Sequence, residues 1–248
     1  MKTPSVDRTT RRFARQRRFL QARLSPEGYL GLHLTIGVLM ILAAGWWFGD
    51  IAEDMSRNAG TRIFDEDVAM SFHQQATPLT TQAARIGSFF GSVGFIGGAS
   101  CCTALVLLWR KSFYPLLAFA LAMGGGSALN ILLKHFFHRQ RPVLENPFVT
   151  LTSYGFPSGH TMGSTLFYGM LALIAAQSIR RWPKRALPFC IAGLIVATIG
   201  FTRIYLGAHY LTDVLGAVAA GLAWLTLCWT GVETLRRWRE TRSTARHR

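Results

Sequence analysis

The sequence predicts an all-α, polytopic membrane protein: a bundle of six transmembrane helices with short interfacial helices. Two observations carry that prediction. Half of the 248 residues are hydrophobic and only 16% are charged, with a mean hydropathy of +0.25. That balance suits a membrane protein better than a soluble domain. The apolar residues also fall in six runs, each close to the ~20 residues a helix needs to cross ~30 Å of hydrocarbon. The runs are spread along nearly the whole chain, so it reads as one membrane domain over 29–231 between basic tails at 1–28 and 232–248.

In chain order, the N-terminal tail carries eight Lys and Arg against Asp7 and Glu27. Its segment from Arg11 to Leu20 reads as a solvated tail that sets topology, the other reading being an amphipathic helix on an anionic surface. The basic region and the apolar run after it are both too long for a cleaved signal peptide. The first span is 29–49, ending in Trp46, Trp47 and Phe48 as an interfacial belt. His33 within it reads as a structural hydrogen-bonding residue or an interfacial one. Residues 50–85 are polar and acidic, and Met55, Phe64, Val68 and Phe72 suggest short amphipathic helices at the interface. This segment is also a candidate cap over the site entrance. Asp65, Glu66 and Asp67 point in different directions on a helix, so they read as a solvated face or a helix N-terminus rather than a metal cluster. The second span, 86–109, holds Gly87 with Gly91 and Gly94 with Gly98 at the spacing that lets helices approach closely. The third, 113–133, has a flexible point at Gly124-Gly125-Gly126. The fourth is 161–179, the fifth 186–202 and the sixth 210–230.

Six spans place both termini on one side. Of the 27 Lys and Arg, 20 lie in the two tails and the loops at 110–111 and 180–185, and seven lie on the other side. The positive-inside rule puts both termini in the cytoplasm. The net charge of +15 therefore points to membrane orientation and anionic headgroups, with membrane lipids as partners, and not to nucleic acid. Cys101, Cys102, Cys190 and Cys228 all lie inside apolar runs and read as small core hydrophobes, with no zinc-like spacing. Oligomeric state leaves no mark on the sequence.

Three polar islands sit at span ends on the outer side. They are Lys134-His135-Phe136-Phe137-His138-Arg139-Gln140-Arg141-Pro142, Phe156-Pro157-Ser158-Gly159-His160-Thr161, and Thr202 to Asp213. Together they offer cations to hold an oxyanion, imidazoles to attack and to donate a proton, a serine hydroxyl and a carboxylate, an inventory that fits a phosphate. The spacing of Lys134 with Arg141-Pro142, of Pro157-Ser158-Gly159-His160, and of Arg203, His209 and Asp213 resembles the three motifs of the type 2 phosphatidic acid phosphatase (PAP2) superfamily. Thr202 stands where the third motif usually opens with Ser, and keeps the hydroxyl. The resemblance covers roughly 30–231, apart from the segment at 50–85.

The resemblance implies a lipid phosphatase that needs no metal or other cofactor, because three cations already neutralise the phosphate. His209 is then the nucleophile that forms a phosphohistidine. Asp213, four residues on, fixes its tautomer. His160 is the general acid and then the base. Lys134, Arg141, Arg203, Ser158 and the Gly159 N–H hold the phosphoryl oxygens. The expected substrate is a lipid phosphate monoester or pyrophosphate on the periplasmic face of a bacterial inner membrane. Undecaprenyl pyrophosphate is favoured on family grounds, with phosphatidic acid, phosphatidylglycerol phosphate and lipid A phosphate (or phosphotransfer to a second lipid) as alternatives. Two rivals from other classes are an anionic-lipid transporter and a haloperoxidase-like enzyme cradling vanadate. The first needs no nucleophile–carboxylate pair, and the second is soluble in the relatives. Arg139 reads as a snorkelling anchor, His135 and His138 as residues facing solvent or headgroups, and Tyr154, Tyr205 and Tyr210 as interfacial aromatics.

Overall fold

A 20-residue helix over Gly159–Ser178 occupies the middle of the molecule, and the other helices are arranged around it. The computed structural model describes residues 31–144, 148–149 and 151–246. The basic N-terminal tail and Asn146-Pro147 lie outside the described residues. In chain order the helices are α1 (Leu32–Arg57), α2 (Ala59–Gln74), α3 (Pro78–Phe89), α4 (Val93–Trp109) and α5 (Phe113–Ala120). A π-helical turn (Leu121–Gly125) then leads into α6 (Gly126–Phe137). The central helix is α7 (Gly159–Ser178), followed by a 3₁₀ turn (Trp182–Ala186), α8 (Leu187–Tyr205) and α9 (Leu211–Arg246). No strand occurs among the described residues.

Helix α7 packs on α4, α6, α8 and α9. Its Met162, Leu166, Phe167 and Met170 are buried with Phe119, Ala217 and Leu225 in the main core. Small residues let the neighbours close in: a Cβ on Gly126 would lie 2.2 Å from a methyl of Leu166. The outward faces of the surrounding helices carry large apolar side chains, among them Leu42, Leu105 and Leu194, as a lipid-facing surface requires.

Six spans were expected. Among the described residues, five helical stretches are long and apolar enough to cross a membrane: Leu32–Arg57, Pro78–Trp109, Phe113–Phe137, Trp182–Tyr205 and Leu211–Ser243. The expected fourth span forms α7 but is not among them. The reason is physical. Protein surrounds α7 on its sides, so it carries Gly, Ser and Thr where a lipid-facing helix would carry Leu and Ile.

Other expectations need correction. The first helix does not stop at residue 49 but runs to Arg57, so Met55 is buried on α1 instead of lying on an interfacial helix. Helix α2 is present, yet it turns Asp65 and Ala69 inward and leaves Ile63 and Phe64 exposed. The second span is broken at Phe90-Gly91-Ser92, where Ser92 caps α4 by accepting the Phe95 N–H at 3.2 Å. Gly87 and Gly91 do face close neighbours on α8, whereas Gly94 and Gly98 face open space. The triple glycine is a packed π turn: Gly125 sits against the Trp224 ring. Cys228 is buried, but Cys101, Cys102 and Cys190 are exposed. The basic stretch from 232 continues the last helix to Arg246, laced by Glu233–Arg236 and Glu233–Arg237 pairs at 2.7 Å. His33 behaves as expected, with its Nε2 3.2 Å from Thr234 Oγ1.

Candidate active site

Two helix ends, of α6 and α8, and two helix starts, of α7 and α9, converge at one end of the bundle. Helix α8 ends in a Schellman turn: the Ala208 N–H reaches the Arg203 carbonyl at 3.0 Å and the Gly207 N–H reaches the Ile204 carbonyl at 2.9 Å. Gly207 is the left-handed residue of that turn, at φ +66, and a Cβ there would also strike a methyl of Leu144 at 2.3 Å. The turn drops His209 just ahead of α9. Asp213 lies in the first turn of α9, where a carboxylate is favoured by the exposed N–H groups. Its Oδ2 accepts the Tyr210 N–H at 3.0 Å and lies 3.4 Å from His209 Nδ1. His209 and Asp213 are both buried.

On its other edge His209 meets Arg141, whose Nη1 is 3.2 Å from Nε2. Arg141 is fixed by backbone carbonyls: Nε donates to Ser153 at 2.6 Å, Nη1 to Ala208 at 2.6 Å and Nη2 to Tyr154 at 3.2 Å. Lys134 also donates to the Tyr154 carbonyl. Asn130, one helical turn before Lys134 on α6, donates to the Pro157 carbonyl at 3.3 Å. One face of α6 therefore holds the loop that carries the second motif.

Ser158 caps α7. It is fully buried, and its Oγ accepts from the Thr161 hydroxyl at 3.0 Å and, more loosely, from the Thr161 N–H at 3.5 Å. The hydroxyl keeps its own hydrogen for a ligand. The Ser158 N–H donates to the Asp213 carbonyl at 3.0 Å, which ties the second motif to the third. Gly159 is the first residue of α7, where backbone N–H groups point out of the helix. His160 follows, half-buried, within electrostatic reach of Arg203, His209, Arg141 and Lys134. Arg203 is buried. Its Nη1 donates to Ser88 Oγ at 2.7 Å, and its Nε is buried with no partner among the described residues. A buried guanidinium N–H without an acceptor is a donor left over for a ligand or a water.

All eight residues singled out in the sequence thus come together, though their side chains are separated by up to 79 positions in the chain. Burial pushes the His209 imidazolium down to about 4, against the opposing pull of Asp213. Its ring is therefore neutral at pH 7, with a lone pair available. Desolvation also lowers Arg141, with Asp213 opposing. The arrangement can present a neutral imidazole nitrogen beside guanidinium groups, with a second imidazole nearby.

Sequence reasoning missed part of the site. Arg139 is no snorkelling anchor. Its Nη1 meets Asp213 Oδ1 at 2.7 Å and Thr212 Oγ1 at 2.6 Å, its Nη2 meets Asp65 Oδ2 at 2.7 Å, and its plane lies 4.5 Å over the Tyr210 ring. Asp65 is not on a solvated face. It is 0% exposed, and it also accepts the Thr212 N–H at 3.2 Å and bonds the Thr212 hydroxyl. The available signal was a surplus cation in the first island and surplus acids in 50–85, but nothing in the spacing pairs them. His135 and His138 are exposed as expected, and His138 packs on the Tyr154 ring at 4.6 Å. Tyr205 bonds the Thr80 hydroxyl.

The sequence over residues 115–237 matches the profile of the PAP2 superfamily. These residues are a PAP2 superfamily domain. The chain is 34% identical over 136 residues to phosphatidylglycerophosphatase B of Bacillus subtilis, a match covering 54% of this chain and 66% of that protein. It is 33% identical over 101 residues to undecaprenyl-diphosphatase BcrC of the same organism, covering 39% of this chain and 47% of that one. The chain thus spans less than two thirds of these curated relatives. The crystal structure of the PAP2-type phosphatidylglycerolphosphate phosphatase from Bacillus subtilis superposes with a TM-score of 0.70 at 25% identity, covering 76% of this chain and 93% of that one. The Aquifex aeolicus LpxE structure shares the fold at a TM-score of 0.51, covering 65% of this chain and 92% of that one. The PAP2 domain and the five apolar helical stretches make this a multi-pass membrane protein.

Proposed function

We propose that the protein hydrolyses a phosphate monoester or pyrophosphate carried on a lipid, through a phosphohistidine on His209. The observation that supports this most is the placement of His209: Asp213 at Nδ1 and Arg141 beside Nε2. Asp213 accepting the Nδ1 proton leaves the Nε2 lone pair to attack phosphorus. A phosphoryl group bonded there would lie among Arg141, Arg203 with its unused Nε, and Lys134. These cations counter the charge that develops in flight. As the N–P bond forms, the P–O bond to the lipid breaks and His160 protonates the departing oxygen. His160 then takes a proton from water, whose oxygen attacks phosphorus and breaks the N–P bond. Ser158 and the Gly159 N–H complete the cradle at the start of α7. No step calls for a metal, since protein cations balance the phosphate.

In this reading α7 is the sixth span, shielded from lipid by its neighbours. Both termini lie in the cytoplasm, and the site opens on the outer face of a bacterial inner membrane. The domain occupies 29–231 between basic tails. The relative matched over the greater length is a phosphatidylglycerophosphatase. That moves phosphatidylglycerol phosphate ahead of undecaprenyl pyrophosphate, although the shorter match to an undecaprenyl-diphosphatase keeps the latter in view.

The test is phosphate release by purified protein from a panel of lipid phosphates with EDTA present, beside His209→Ala. Release by the wild type and none by a folded variant is expected. An active His209→Ala protein would remove the nucleophile assignment, and inhibition by EDTA would remove the metal-free reading. The ratio of rates on phosphatidylglycerol phosphate and undecaprenyl pyrophosphate decides the substrate.

A further inference from the structure

At the other end of the bundle, a cavity of about 920 Å³ lies among the start of α5, the end of α7, the 3₁₀ turn and α9. Glu233 in its wall is 20 residues beyond Asp213 on α9, which is ~30 Å along a helix at ~1.5 Å per residue. The phosphatase site has no part in it.

Its lining holds three guanidiniums, Arg185, Arg236 and Arg237, against one carboxylate, Glu233. Glu233 bonds Arg236 and Arg237 at 2.7 Å each, which fixes the direction of both, and Arg236 also reaches Glu240 at 2.8 Å. Arg185 is oriented by its Nε, which donates to the Ile179 carbonyl at 2.8 Å, and has no carboxylate partner among the described residues. Trp182 and Trp229 flank these cations, and Trp is the residue that marks a membrane–water boundary. A second cavity of about 860 Å³, mostly apolar, runs between α1, α7, α8 and α9. The two share His33, Leu173, Phe189 and Trp229 in their walls, so the basic cavity adjoins the apolar one. At their junction the His33 Nδ1 is buried with no partner among the described residues.

We propose that this cleft binds an anionic phospholipid of the adjacent leaflet, its phosphodiester headgroup on Arg185, Arg236 and Arg237 and an acyl chain in the apolar groove. A guanidinium fork matches phosphate oxygens in pairs, and basic pockets between membrane helices on the cytoplasmic side are suited to anionic headgroups. The apolar continuation favours a lipid over a free anion. The N-terminal tail, with eight Lys and Arg against two acids, has the wrong sign to fill a cavity with excess positive charge. Assignment of the leaflet as cytoplasmic rests on the orientation proposed above; the binding itself does not depend on the catalytic reading.

The test is thermal unfolding of the full-length protein in a neutral detergent, with phosphatidylglycerol, phosphatidylcholine or inorganic phosphate added. Phosphatidylglycerol should raise Tm by several degrees, as a ligand bound only to the folded state does, and the other two should not. Arg185→Gln, and separately Trp182→Ala, should cut that shift by more than half while leaving the lipid-free Tm and the rate of phosphate release unchanged. His209→Ala should keep the full shift. A shift that survives both cavity variants, that disappears in His209→Ala, or that inorganic phosphate reproduces would overturn the proposal.

Discussion

Arg139 donates to Oδ1 of Asp213 at 2.7 Å, leaving Oδ2 to His209 and the Tyr210 N–H. The carboxylate is gripped on one side and faces His209 with the other. Arg139→Gln should therefore lower kcat by about 10- to 100-fold, the usual range for a partner that orients a ligating or catalytic group, with KM little changed. Arg139→Lys should recover part of the loss, because it keeps the charge but not the fork. Steady-state kinetics on one lipid phosphate check both.

Asp65 brings α2 into the same arrangement. It is fully buried, and with Arg139 and Thr212 it joins α2 to the first turn of α9. Removing one member of a buried ion pair strands the other, at about 3–5 kcal/mol. Asp65→Ala should lower Tm markedly, and Asp65→Asn, which keeps a hydrogen-bond acceptor, less so. The double variant Asp65→Asn/Arg139→Gln should lose clearly less stability than the sum of the two single changes, as read from thermal melts in detergent.

The His209 ring gives a signed pH prediction. Its ordinary value of 6.5 falls to about 4 on burial. As pH drops below 6.5 the unfolded chain takes up a proton that the folded chain refuses until about 4. The stability contributed by this residue is therefore intact above pH 6.5 and declines between 6.5 and 4. His209→Gln, which cannot titrate, should show a shallower loss of Tm across that window than the wild type. Equal slopes would mean that the ring is not held neutral.

Gly207→Ala probes the turn that positions His209, the proposed nucleophile. The left-handed φ costs an alanine ~1–2 kcal/mol, and Leu144 must move aside as well. The variant should lose stability of at least that size. It should also lose more activity than its residual folded fraction explains, because His209 is only two residues away. Specific activity of the folded fraction separates the two effects.

Much of the site was legible because its residues come in short fixed spacings. His209 and Asp213 are four apart at the start of a helix, and Ser158 caps the helix that Gly159 and His160 begin. Local geometry of this kind is written in consecutive residues. The Asp65–Arg139 pair spans 74 positions, and neither partner carries a local sign of it. An acid on an amphipathic helix and a cation at a span end both look solvated until the tertiary structure brings them together. The expected fourth span, α7, falls outside the five long apolar stretches for a related reason. Hydropathy reports contact with lipid, and α7 contacts protein.

That last point bears on how the chain is assembled. A segment carrying Gly159, His160, Gly163, Ser164 and Gln177 offers a bilayer little reason to accept it by itself. If α7 is the sixth span, as proposed, stable insertion of residues 159–178 would depend on helices synthesised later, above all α8 and α9, which cover two of its flanks. A nascent chain halted near residue 185 would hold the proposed histidine pair half-built, with His160 present and His209 absent. Its central helix would be free to slip back out of the membrane.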